Sequence, residues 1–253
     1  MNVIISEWTK LRATRSNVWT LVIAAIATIG VTAIVAHALG AARVAPPAGG
    51  PFTPLTASFL GYAEYAVLPV SILGVLAFTT EYSTGLIRTT FTCVPRRRVV
   101  LAAKAAVTGT AALVAGEVLA FITFFLTQAM LAADHRGVSL SHPGAVRAVL
   151  AAGLLLAVAA LTGLGLGAII RHPAGAIAAT VGVIYLITAL CLVLPAPWNT
   201  RIGRFTLPMA AFQVITGQPR ADLLAPWLSL LVVLAWPAAI LLAAAVLITR
   251  LDP

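Results

Sequence analysis

The sequence predicts an all-α polytopic membrane protein. Six transmembrane helices are expected, with both termini cytoplasmic, an N-terminal interfacial amphipathic helix and an outer re-entrant segment before the last span. Three observations carry this expectation. Of 253 residues, 61% are hydrophobic and only 9% are charged, with a mean hydropathy of +1.04, whereas soluble domains carry roughly 25% charged residues. The apolar runs are continuous and not alternating, so in a bilayer they read as helices and not barrel strands. The densest Lys and Arg clusters flank the first three runs, where charge bias weighs most on orientation.

Residues 1–17 (MNVIISEWTKLRATRSN) form an amphipathic pattern if helical. Val3, Ile4, Trp8 and Leu11 share one face, with Glu7, Lys10 and Arg15 elsewhere. Such spacing suits a helix lying in the cytoplasmic interface; a charged flank that only fixes orientation is the simpler reading, and the two are compatible. The segment does not read as a signal peptide: Glu7, Lys10, Arg12 and Arg15 precede an uncharged run of full spanning length, with no convincing cleavage site.

The first span is expected over residues 18–39, matching the roughly 20 apolar residues a crossing needs. AARVAPPAGGPFTP then breaks the helix. The second span is less tidy, because only Tyr65 to Thr80 separate Glu64 from Glu81; a start near Leu55 to Ser58 gives a span of about 56–80, with Glu64 in its outer part and Pro69 placed to bend it. Residues 81–104 are read as a cytoplasmic loop. They hold Arg88, Arg96, Arg97, Arg98 and Lys104, five of the sixteen Lys and Arg residues, against the single acid Glu81.

The third span is expected over about 105–133, with an outer loop at 134–144. The fourth covers 148–170, with Arg147 snorkelling to the outer interface, and Arg171–Pro173 makes a short inner turn. The fifth covers 174–194 and the sixth 227–249, the last containing Pro237. Between these two, residues 195–226 are too apolar for an ordinary exposed loop; Phe205, Leu207, Met209, Phe212, Val214 and Ile215 suggest short helices re-entering the outer leaflet. A surface loop with interfacial anchors is nearly as good a reading. With the N-terminus inside, the inner side carries ten Lys and Arg residues and the outer side six.

The net charge of +9 is spread over loops without a basic, aromatic-interleaved domain, which excludes nucleic acid as the expected partner and leaves the lipid bilayer. Cys93 and Cys191 have no metal-ligand spacing, and they are expected at opposite ends of the bundle, so they should not pair. His37, His135, His142 and His172 are scattered. Enzyme motifs are missing: the glycine run Gly163–Gly167 lacks the lysine of a phosphate loop and lies in a span, where its spacing fits helix packing. No metal site and no cofactor of the chain's own is expected.

Glu117 interrupts the third span near its middle. A carboxylate there costs a few kcal/mol on insertion scales, so it should face protein, a watery cavity, or be protonated. It reads either as a polar contact on a substrate route or as a helix–helix hydrogen bond with Gln128 or a nearby threonine as partner. Both readings stay open.

The stretch Glu81 to Thr90 is longer and more ordered in pattern than orientation alone requires. Thr84-Gly85 suits a turn and LIRTT a short helix along the membrane, stopped by Pro95. Arg96–Arg98 can meet anionic lipid or an acidic protein surface. The order Glu81, Tyr82, Gly85, Ile87, Arg88, Thr90, then Val94-Pro95-Arg96-Arg97-Arg98 and Lys104, resembles ATP-binding cassette (ABC) exporter permeases of the six-span, type-two family. SEWTKLRATRSNVWT resembles the N-termini of actinobacterial members, and TLPMAAFQVI their outer re-entrant region.

That resemblance implies a membrane subunit of a bacterial cell membrane exporter for a drug, lipid or other amphipathic solute. It would have no nucleotide motif of its own and would work with a separate cytosolic ABC ATPase that holds ATP and Mg. It implies a second copy of this permease or a related one, hence a homodimer or heterodimer. It also implies that Glu81, Tyr82, Gly85, Ile87, Arg88 and Thr90 couple to the ATPase, with Glu7, Lys10, Leu11, Arg12 and Arg15 on a connecting helix and Arg171–Pro173 as a smaller contact. Two alternatives stand beside it: a proton-coupled secondary transporter using Glu117, and a non-transporting membrane scaffold.

Overall fold

A computed structural model describes residues 2–13, 15–40, 54–59, 62, 65–94, 96–132, 137–217 and 223–250. Of the described residues 87% are helical, with no strand among them. The helices are α1 (Asn2–Ala13), α2 (Arg15–Gly40), α3 (Pro54–Ala57), α4 (Val67–Ser83), α5 (Leu86–Cys93), α6 (Arg97–Ala132), α7 (Ala145–Ile170), α8 (Pro173–Val193), α9 (Trp198–Gly203), α10 (Leu207–Thr216) and α11 (Pro226–Arg250). Five of them are long and apolar enough to cross a membrane: α2, α6, α7, α8 and α11. The 17-residue α4 is apolar but shorter.

The helices are organised around α7. Of its most apolar stretch 78% is buried, against 22% for the corresponding stretches of α2, α8 and α11. Composition explains this. In lipid, helices gain little from apolar burial and associate through close backbone approach at small residues, and 12 of the 26 residues of α7 are Ala or Gly. Gly163 lies against the Ser71 carbonyl and Gly167 against Val75, both on α4, while Gly74 returns the contact to Ala160. Gly165 meets Ile240 of α11, and Gly153 meets α6. A Cβ at Gly116 of α6 would stand 2.7 Å from the Gly153 carbonyl, closer than real side chains come. The glycine run is thus a packing device on two faces.

Threonines are tolerated inside because their hydroxyls bond within their own helix. Thr28 donates to Ala24 O, Thr79 to Val75 O, Thr123 to Leu119 O, Thr162 to Val158 O and Thr180 to Ala176 O. One turn of α8, Gly182–Leu186, is wound as a π-helix.

Several boundaries differ from the sequence reading. Helix α6 starts at Arg97, eight residues before the expected third span, and runs 36 residues. At 1.5 Å per residue that is about 54 Å, well beyond the roughly 30 Å hydrocarbon layer. The stretch 81–104 is mostly helical: Glu81 still belongs to α4, and α5 and the first two turns of α6 occupy most of the remainder. Pro69 falls in the first turn of α4. Glu64 and Pro95 lie outside the described residues.

At one end of the bundle, Gln128 of α6 donates to Ser58 Oγ at 3.0 Å and accepts from Val138 N at 2.7 Å, and Arg147 donates to Thr216 O at 3.1 Å. Near the middle of α11, Trp236 Nε1 donates to Phe205 O at 3.0 Å. The turn between α9 and α10 therefore sits well down the length of α11. At the opposite end gather α1, the C-terminus of α4, α5, the start of α6, Arg171, and the end of α11, where Arg97 donates to Ile248 O at 3.1 Å.

Candidate functional site: a buried charge cluster at the α1 end

The stretch of α6 that begins the apolar run carries Lys104, only 3% exposed. An ammonium buried there needs three acceptors for its three protons. It has them: Glu7 Oε2 at 2.6 Å, Glu81 Oε1 at 2.7 Å and the Ala77 carbonyl at 3.2 Å. Glu7 and Glu81 are each 5% exposed. Lys10 closes the figure from the rim, donating to Glu7 Oε1 at 2.8 Å and Glu81 Oε1 at 2.9 Å, with 42% of its side chain exposed. Two acids and two lysines from α1, α4 and α6 thus form a neutral cluster.

The electrostatics follow from the geometry. Glu81 lies just past the apolar run that ends at Thr80. Burial pushes its carboxyl up, but Lys104 and then Lys10 outweigh burial and hold it below the ordinary carboxylate value. Partial burial disfavours the Lys10 charge, yet hydrogen bonds and charge from Glu7 and Glu81 raise it above the ordinary lysine value.

Glu7, expected away from the apolar face of α1, is turned inward onto this cluster, while Ile4, Ile5 and Trp8 are exposed. The reason is Lys104: an acid on α1 is worth more against a buried cation than in water, and the apolar side is left for an interface. Leu11, beside the charged face, lines a small apolar crevice with Leu21, Val70, Leu73 and Ala112. The side chains of Arg12 and Arg15 lie outside the described residues.

Next to the cluster, the Tyr82 ring makes two contacts. Its ring stacks on Phe78 (centroids 5.6 Å apart, 29° between planes), and the Arg171 guanidinium lies 5.4 Å from its centroid. The Tyr82 hydroxyl is buried with no hydrogen-bond partner among the described residues. Burial raises its phenol against the lowering effect of Arg171 and Arg97. Arg171 adopts a left-handed conformation (φ 61°), ending α7, and His172 with Pro173 begins α8, the imidazole Nδ1 accepting from Gly175 N at 3.4 Å. The short turn between α7 and α8 is therefore fixed onto Tyr82.

Helix α5 hangs from Gly85, whose φ of 75° reverses the chain after α4. Ile87 is its buried anchor, in a cluster with Phe78, Val100, Leu164 and Ile248. Leu86, Thr89 and Thr92 point outward and Thr90 is half-buried; the threonine hydroxyls bond back to α5 carbonyls. The Arg88 side chain lies outside the described residues.

Glu117 and Gln128 do not meet. Gln128 is committed to Ser58 and Val138, three helical turns beyond Glu117. The Glu117 carboxyl rests over Gly153, and its Oε2 receives no hydrogen bond from any described residue. Among the described residues no three His, Cys, Asp or Glu side chains converge on a metal position. Cys191 is a buried free thiol.

The sequence reading brought Glu7 and Glu81 forward separately and treated Lys104 only as the residue opening a span. The missed signal is one of compensation: a lysine inside a membrane-length run needs an acid, and the chain has only seven. Compared with family models, curated proteins and solved structures, the chain matches none.

Proposed function

We propose that this chain is the membrane subunit of an ATP-driven ABC exporter in a bacterial cell membrane, and that the end bearing α1 and α5 is the cytoplasmic end that docks on a separate ATPase. The observation that carries the reading is the Glu7–Lys104–Glu81–Lys10 cluster. It ties the N-terminal helix to α4 and α6 at the root of α5, so a force applied to α1 or α5 reaches two membrane helices through buried ion pairs. In this reading α4 is the sixth span, entered through α3, and both termini are cytoplasmic. The position of Phe205 O against Trp236 supports a re-entrant α9–α10 segment. ATP and Mg belong to the partner, and a second copy of this or a related permease completes the pore.

The structure sharpens where to test this. Glu81 is a buried member of the ion cluster, so charge reversal there would mix folding with coupling. Thr89 and Thr92 are exposed on α5. Tagged chain extracted in mild detergent is expected to capture an ATPase from its native membrane, and Thr89→Glu with Thr92→Glu to lose both the captured ATPase activity and export while leaving membrane insertion and size-exclusion behaviour unchanged. Full transport by the purified chain alone would reject the proposal.

A further inference from the structure

Helix α6 exposes a stripe made of Thr110, Val114, Val118, Phe121, Ile122 and Phe125. Helical spacing sets Glu117 beside this stripe, three residues after Val114 and four before Phe121. It lies about 20 Å along the axis from Lys104 by the helical rise, deep in the apolar run. The side chain is half-buried over Gly153, whose missing Cβ makes the room; its Oε2 is turned inward, buried, and receives no hydrogen bond from any described residue. The neighbouring Tyr62 hydroxyl is committed to Gly116 O at 2.6 Å. One and two turns on, Phe121 and Phe125 stack with centroids 6.3 Å apart, and Phe124 meets Phe125 edge-on at 5.6 Å.

A carboxyl group at this depth calls for something that brings positive charge or keeps it neutral. A second copy packed through α2, α8 or the body of α11 does not bring it: the apolar stretches Trp19–Ala38 and 174–193 contain no Lys or Arg, and α11 holds only the terminal Arg250. A metal ion would need further oxygen or nitrogen ligands, and the neighbours are aliphatic and aromatic. A carboxyl flanked by stacked aromatic faces at lipid depth has the recognition chemistry of a large organic cation.

We infer that Glu117, Phe121 and Phe125 form a bilayer-facing site for a lipophilic organic cation. The cationic centre pairs with Glu117 over Gly153, and the apolar body lies along the phenylalanine pair. This deepens the transport reading by naming a substrate class, and its test needs no ATPase, so failure of the site and failure of ATPase coupling are separate results.

The probe is tetraphenylphosphonium, with tetraphenylborate as the anion of the same shape, and the purified chain in lipid nanodiscs is assayed by equilibrium binding. The expected result is saturable binding of the cation and not of the anion, weakened about tenfold or more by Glu117→Gln and several-fold by Phe125→Ala. In unmutated protein, dicyclohexylcarbodiimide should label Glu117, read by peptide mass spectrometry, and the cation should protect it. Equal binding by Glu117→Gln, equal binding of cation and anion, or a Glu117 that the carbodiimide does not reach would each overturn the site.

Discussion

Lys104 Nζ meets Glu7 Oε2 at 2.6 Å across 97 residues of sequence. The pair is buried on both sides, so the first helix is held by a contact that water screens little. Removing one partner of such a pair leaves an uncompensated buried charge, which typically costs about 3–5 kcal/mol, whereas removing both costs far less. Lys104→Met is therefore expected to lower the midpoint of thermal unfolding in detergent sharply, and the same change combined with Glu7→Gln to recover part of the loss. Glu7 and Lys104 should show a coupling of at least about 1 kcal/mol in the double-mutant cycle; additive losses would mean the contact is not formed.

The cluster also sets a pH window. Glu81 has a lowered folded value, so its contribution is present above the ordinary carboxylate value of 4.5 and is lost as pH falls through the lowered one. Lys10 has a raised value, so its contribution is complete below 10.5 and is lost as pH rises through the raised value. The stability difference between wild type and Glu81→Gln should thus be flat across neutral pH and shrink only in strong acid. Melting midpoints measured from pH 3 to 9 check this, and a difference that already collapses between pH 7 and 6 contradicts it.

At the turn between α7 and α8, Tyr82 and Arg171 make opposing demands. The Tyr82 hydroxyl is buried without a partner, so Tyr82→Phe should be neutral or stabilise by up to about 1 kcal/mol, because the ring contacts survive. Arg171→Ala loses the guanidinium from the ring face, about 0.5–1 kcal/mol, and keeps a Cβ in a left-handed conformation. Arg171→Gly loses the same contact but relieves that conformation, by about 1 kcal/mol. Glycine is therefore expected to be the more stable of the two replacements by thermal melt; the reverse order would show that the turn relaxes its backbone.

The spanning helices were legible because bilayer length and continuous hydrophobicity constrain them strongly. Helices α7, α8 and α11 begin and end within a few residues of the expected limits. Residues 81–104 were less legible, since charge density was read as loop. Paired charges can ride on helices, and Lys104 is buried on one because Glu7 and Glu81 neutralise it. The inward turn of Glu7 was invisible for the same reason: periodicity separates polar from apolar faces but does not say which faces protein when the protein offers a buried cation. The Glu117–Gln128 pairing failed on distance along one helix. The contact of the Tyr82 ring with both Phe78 and Arg171 depends on tertiary placement of a turn 89 positions away, which no local pattern encodes.

The uninterrupted length of α6 has a mechanical consequence. At Gly116 its backbone packs against that of α7 at Gly153. That crossing divides the rod into arms of about 28 and 24 Å by the helical rise. A stiff rod that tilts about such a fulcrum swings its ends in opposite directions, so a push at Lys104 becomes an opposite displacement at Gln128 and Ser58. Glu117, one residue from the pivot, stays almost still while the two ends see-saw around it.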